Sequence, residues 1–253
     1  MPMEVQQLAE GFWRWTAPHP DWTPEKDRPG GWAQMVGCVF YEAPADSRGV
    51  RRIVLIDPLA PPEGTPDAER FWRALDRDVE RVGGPVAILL GNHYHERSAQ
   101  AVYERYERSP GAEIWAHEAA RGEIACSLSR TFASAGRGMG ADQWFELPGG
   151  VRAQEIAGLE PCEVAYYLPL QEAVVFADAV IGTGEGRVRV VPLSWAPAGA
   201  EAAMRYHESF RPSLRRLLDL PLEMLLVSHG PPVFVNGDAA LAEALDAAAW
   251  GES

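Results

Sequence analysis

Two apolar periodicities run through this chain and divide it into strands and helices. Val86–Leu90 (VAILL) is an unbroken apolar run of strand length, the pattern of a strand covered on both faces. Val36–Tyr41, Arg52–Asp57 and Glu113–His117 read as its companions, the first two separated by a polar turn around Ala45–Gly49. Phe71, Ala74, Leu75, Val79 and Val82 share one face at helical spacing, with Asp67 as the expected N-cap and Gly83-Gly84-Pro85 as the stop. A second helix is expected from about Arg97 to Arg108. The segment Gly11–Gly31, dense in aromatics and prolines, predicts a strand followed by an irregular loop, and Pro58–Pro66 predicts another loop.

The second half is richer in strand signals. Val151–Ile156, Glu163–Leu168 and Ala173–Phe176 follow one another closely, the last two joined by a hairpin turn at Pro169–Glu172. A helical stretch covers about Glu201–Leu220, interrupted by Pro212. Glu223–Val227 predicts a strand and Ser228–Pro232 a tight loop. Asn236 or Asp238 is the expected cap of a final alanine-rich helix reaching about Trp250. Strands alternating with helices at short spacing predict an α/β layered fold. With no long linker, fixed-period repeat or low-complexity tract, the expectation is a single domain over residues 1–253.

Composition narrows the partners. The 253 residues are 47% hydrophobic, enough to bury a sizeable core without a disulfide or metal staple. A net charge of −13 disfavours nucleic acids and anionic membrane surfaces. Lys26 is the only lysine, so nearly all positive charge is arginine. Cys38, Cys126 and Cys162 are widely spaced, as in a protein from a reducing compartment. The N-terminus lacks a basic start followed by an apolar run, and the apolar stretches fall short of the ~20 residues of a membrane span. The expectation is a cytoplasmic protein, with a small molecule as its partner and an oligomeric state that the sequence leaves open.

Candidate chemistry stands at strand ends. His93-Tyr94-His95 follows VAILL, Asp178 follows VVFA, and His229 follows EMLLVS. Residues just past the carboxyl ends of strands gather in one crevice in α/β folds, and imidazoles with a carboxylate there are ligand types for zinc or iron. Taken in order, Ile56-Asp57, LLGNHYHERSA, Gly158-Leu159-Glu160-Pro161, VVFADAV and LVSHGPP resemble the metallo-β-lactamase superfamily. The resemblance spans roughly residues 36–245. It implies a four-layer αβ/βα sandwich with a metal site at one edge, and carries over His93, His95, Asp178 and His229 as metal ligands.

Three departures fall within those motifs. In the position of the motif's Asp ligand stands Arg97, its neighbouring His is Ser98, and the His of the Gly-His-Thr-Pro turn is Leu159. A dinuclear centre is therefore not expected, because Arg97 puts a permanent positive charge where an anionic ligand belonged. Two outcomes stay open for Arg97: it holds a carboxylate, Asp178 or the adjacent Asp57, in place of a metal, or it is a solvated surface residue. Glu96, Glu160 and Cys162 lie close enough in sequence to substitute as ligands, with solvent or a helix cap as the other reading for Glu96. His19, His117 and His207 follow no ligand spacing. Tyr94 either lines the pocket or packs, and the cluster Phe12, Trp13, Trp15, Trp22 and Trp32 forms core or walls the crevice.

Two functions follow from the resemblance. One is a descendant that has lost most metal ligands and is metal-free or weakly metal-binding, binding a small molecule or serving a structural role. The other is a hydrolase with a single zinc, iron or manganese ion on His93, His95 and Asp178, acting on a small ester, lactone or thioester. There, His229 moves protons or holds substrate, and Asp178 and His229 are the catalytic pair.

Overall fold

In the computed structural model, which describes residues 2–133, 144–159, 163–196 and 199–251, the apolar runs assemble into two sheets laid face to face. Among the described residues the first sheet pairs its strands in chain order: β1 (Glu4–Ala9), β2 (Phe12–Pro18), β3 (Met35–Ala43), β4 (Arg52–Ile56), β5 (Val86–Leu89), β6 (Ala112–His117) and β7 (Arg130–Phe132). It is antiparallel as far as β4 and parallel from there to β7. The second sheet contains β8 (Phe145–Glu146), β9 (Arg152–Ile156), β10 (Glu163–Leu168) and β11 (Ala173–Phe176). β12 (Val180–Gly184) and β13 (Arg187–Val190) form a separate hairpin, and β14 (Met224–Val227) closes the second sheet by pairing parallel to β11.

The unbroken apolar runs are explained by strand alternation. Ile53 and Leu55 of β4 and Ile88 of β5 face outward, where α1 (Pro66–Val82) and α2 (Ala99–Tyr106) cover them with Phe71, Leu75, Val79 and Val102. Val54, Ile56 and Leu89 face inward and meet Val164, Tyr166, Val175 and Leu226 of the second sheet. That sheet's outer face, including Phe176, Leu225 and Val227, is covered by Phe210, Leu214, Leu217, Leu241 and Leu245. Phe210 and Leu217 lie in the turns that follow α3 (Ala200–Arg205), Leu214 in α4 (Arg211–Arg215), and Leu241 and Leu245 in α5 (Gly237–Asp246). The order of layers is helices, sheet, sheet, helices: the expected four-layer sandwich.

Element ends differ from expectation for local reasons. Thr65, not Asp67, caps α1, its hydroxyl accepting the Ala68 N–H at 3.2 Å; Asp67 instead accepts the Met3 N–H. α2 begins at Ala99, because Arg97 sits at φ 42, outside helical space. The stretch 201–220 breaks into α3, a wide turn at Tyr206–Phe210, α4 and a tight last turn, since Pro212 has no N–H to continue the ladder. β1, with a largely exposed edge, and the short β7 and β8 carried too little apolar pattern to be expected.

Candidate functional site

The parallel pairs β4–β5 and β11–β14 end at the same edge of the sandwich, and the residues beyond them meet there. Asp57 follows β4 at φ 50, its N–H held by the Leu89 carbonyl at 3.0 Å. One carboxylate oxygen accepts the Gly91 N–H at 2.7 Å and the other lies 2.8 Å from His95 Nδ1. Gly91 is required by space: a Cβ there would meet Ala177 Cβ at 2.7 Å and Asp57 Oδ2 at 2.9 Å. His95 Nε2 lies 3.3 Å from Asp178 Oδ1, which lies 3.0 Å from His229 Nε2. Asn92 Nδ2 donates to Asp178 Oδ2 at 2.8 Å.

His95, Asp178 and His229 thus converge, each offering a ligand atom within 4.8 Å of the others. His93, expected in the same set, is not among the three that converge. His93–His95 is a single 3-10 turn, and at three residues per turn the first and third side chains leave on different sides. The His93 ring instead lies tilted against Tyr94, centroids 3.7 Å apart at 43°, and Tyr94 itself is largely exposed at the crevice wall.

Arg97 points inward, so the solvated alternative is out, and its expected carboxylate clasp is also corrected. Among the described residues no carboxylate oxygen lies within ion-pair distance of its guanidinium. Nη1 donates to the carbonyls of Gly37 at 3.2 Å and Asp57 at 3.0 Å, and Nη2 lies 3.3 Å from His95 Nε2. Both Asp57 carboxylate oxygens are already taken by Gly91 and His95, leaving its main-chain oxygen for the guanidinium. Ser98 turns to the loop after β4, accepting the Ala60 N–H at 2.9 Å. Leu159 lines the crevice and packs on the outer core of the second sheet.

Two residues that the motif reading passed over complete the floor. Glu163, the buried first residue of β10, accepts the N–H groups of Ala177, Asp178 and Ala179 at 3.0, 2.9 and 3.0 Å on one oxygen. Its other oxygen accepts from Asn92 Nδ2 at 3.2 Å. A charged residue opening an otherwise wholly apolar buried strand was the available signal. Glu96 accepts the N–H groups of Ala125 and Cys126 and is not in the converging set. Glu160 and Cys162 lie outside the described residues. Of the aromatic cluster, Trp32 walls the crevice, while Phe12, Trp13 and Trp15 pack in the cores. His19, which follows no ligand spacing, lies on the crevice wall; His117 pairs with Glu155 elsewhere and His207 is exposed.

The electrostatics are balanced. Burial and the Arg97 charge oppose protonation of His95, but the carboxylates of Asp57 and Asp178 outweigh them and lift its pKa to about 9. Burial would raise Asp178, yet His95 and His229 hold it well below the usual carboxylate range. Burial lowers His229, and burial with the nearby Asp178 pushes Glu163 up to about 8. Two carboxylates therefore face two cations, His95 and Arg97. The crevice above them measures about 440 Å³, within the range of small-molecule sites.

This architecture and edge crevice define a protein of metallo-β-lactamase fold. Solved structures carry the same fold over almost the whole chain: a metallo-β-lactamase from Pontibacter korlensis (14% identity, 97% of this chain and 100% of that one, TM-score 0.59), the metallo-β-lactamase FIM-1 from Pseudomonas aeruginosa in its mono-zinc form (10%, 97% and 96%, 0.59), and one from Erythrobacter litoralis (17%, 96% and 91%, 0.58). No protein-family model and no curated protein matches the chain.

Whether the residues present suit the metal implied by that fold can be read from their outer contacts. His95 is dressed as a ligand, its Nδ1 on a carboxylate. His229 is not: its Nδ1 is buried without a hydrogen-bond partner, as is that of His93. A His229 that bound metal through Nε2 would have to carry its proton on that partnerless nitrogen. The Arg97 guanidinium stands beside the one well-oriented imidazole. The donor set is a poor fit for a metal ion.

Proposed function

We propose that this chain is a metal-independent member of the metallo-β-lactamase superfamily that binds a small molecule in its edge crevice. The observation that carries this reading is Arg97, anchored to two main-chain carbonyls with Nη2 3.3 Å from His95 Nε2. A guanidinium is charged at any physiological pH. It stands beside the nitrogen through which a metal would be bound and offsets the negative charge that would draw a cation in. The hydrolytic alternative has the convergence of His95, Asp178 and His229 in its favour. Against it stand the missing His93, the partnerless His229 Nδ1 and the charge balance.

With no metal, the network is built to hold rather than to react. Both His95 nitrogens are engaged, and His229 turns Nε2 to Asp178 and buries Nδ1, so neither imidazole offers a free base to the crevice. The test is elemental analysis of protein purified without chelator, followed by zinc, iron and manganese titrations. Expected are contents far below one ion per chain and no activity on esters, lactones or thioesters with any of the three. One tightly held ion per chain that disappears in His95→Ala overturns the reading.

A further inference from the structure

The crevice mouth has a chemistry that its floor does not share. On the floor, acidic oxygens are committed: Asp178 to His229, His95 and Asn92, and Glu163 Oε1 to three backbone N–H groups. At the mouth, alongside the Asp21 carboxylate, stand donors with capacity to spare. Lys26 lies with its ammonium 4.8 Å from the centre of the Trp32 ring and gives one hydrogen bond, 2.8 Å, to the Asp21 carbonyl. No carboxylate among the described residues is within ion-pair distance of it, so two of its N–H bonds remain to spend. His19 Nδ1 accepts the Asp21 N–H at 3.2 Å, which puts the ring proton of the neutral imidazole on Nε2, a second donor from the same loop. Both residues line the crevice, along with the indoles of Trp32 and Trp195.

We infer that the crevice takes a compact organic monocarboxylate with a flat apolar body. The carboxylate meets Lys26 and His19 at the mouth, and the body lies against Trp32 and Trp195. An apolar body suits indole walls, and a single charge suits a single free ammonium. The molecule's net charge of −13 and Asp21 at the rim penalise polyanions. This inference rests on the metal-independent binding reading, since a resident metal would supply its own anion site.

The test uses the full chain and two probes of nearly equal shape, phenylacetate and phenylacetamide, titrated by calorimetry with tryptophan fluorescence in parallel. Expected is about tenfold tighter binding of the carboxylate, the order of one charge-assisted hydrogen bond. That preference should shrink as salt rises and vanish in Lys26→Met, which keeps the stem on Trp32 and removes the charge. His19→Phe should reduce it in part, with circular dichroism confirming that both variants are folded. Equal affinities for the two probes, no binding of either, or a preference that survives Lys26→Met overturns the inference. Metal analysis of the same preparation separates the causes: one ion per chain overturns the underlying reading, whereas metal-free protein without carboxylate preference overturns this inference alone.

Discussion

Replacing Arg97 by methionine removes the charge while keeping an unbranched side chain in the same place. A metal held on His95 Nε2 would sit about 2 Å from that nitrogen, and Arg97 Nη2 is 3.3 Å from it. The two cations would then be about 4 Å apart. Unit charges at that separation repel by about 4 kcal/mol at an effective dielectric of 20, and a dication doubles the figure. Arg97 is half-buried, so solvent and salt reduce it by roughly half, to about 4 kcal/mol. At 1.4 kcal/mol per decade, Arg97→Met should bind zinc at least about 100-fold more tightly than the parent. Competition against a chromophoric chelator measures the affinity, and the zinc-dependent rise in Tm provides an independent readout. Arg97→Lys, which keeps a positive charge, should gain little. A zinc affinity in Arg97→Met within about threefold of the parent, in a folded variant, would refute the claim that the guanidinium keeps metal out.

Asp57→Asn removes one of the two carboxylates paired with the buried His95 imidazolium and weakens the hold on the Gly91 N–H. Breaking a buried pair from one side costs about 3–5 kcal/mol, so a loss of roughly 6 °C or more in Tm is expected by calorimetry at neutral pH. Phe176→Ala opens a cavity where the second sheet meets its helices and should cost about 3–5 kcal/mol in urea unfolding with an unchanged m-value. For pH, both raised groups act in the same sense. The stability that His95 contributes is complete below its unfolded pKa and lost as pH rises through about 9. Glu163 is protonated in the fold until about 8 but ionised in the unfolded chain above its ordinary value, so stability falls across that window too. The protein should melt lower at pH 9 than at pH 7.5, a range above that in which His19, His93, His117 and His229, all with lowered pKa values, add stability as pH rises, and Glu163→Gln should flatten the part of that slope below about pH 8; a melting temperature that rises with pH over this range would contradict both assignments.

What was legible in the sequence was whatever a local pattern encodes. VAILL, the β10 and β11 runs and the spacing of Phe71 to Val82 gave both sheets and their helices, and the strand-end positions of His95, Asp178 and His229 gave the crevice floor. The misses have physical causes. β1 has an exposed face, so its residues carry little apolar signal. His93 looked equivalent to His95 because sequence does not say whether H-x-H is extended or a 3-10 turn. The Arg97 partners are main-chain oxygens on β3 and after β4, and every residue type presents those, so no motif could reveal them. Glu163 acts through contacts with distant backbone, and His19 reaches the crevice wall from a loop far from the other site residues in sequence, placements that only the assembled sandwich creates.

A fastening of this kind has a consequence for the life of the molecule. Arg97 joins the strand at Gly37 to the turn at Asp57 with atoms that belong to the polypeptide. A zinc bridge at such a place must be loaded after synthesis and is lost to chelators or to starvation for the ion. On the metal-independent reading proposed above, this edge is finished as soon as the chain has folded, and the protein should then mature identically in metal-replete and metal-depleted cells.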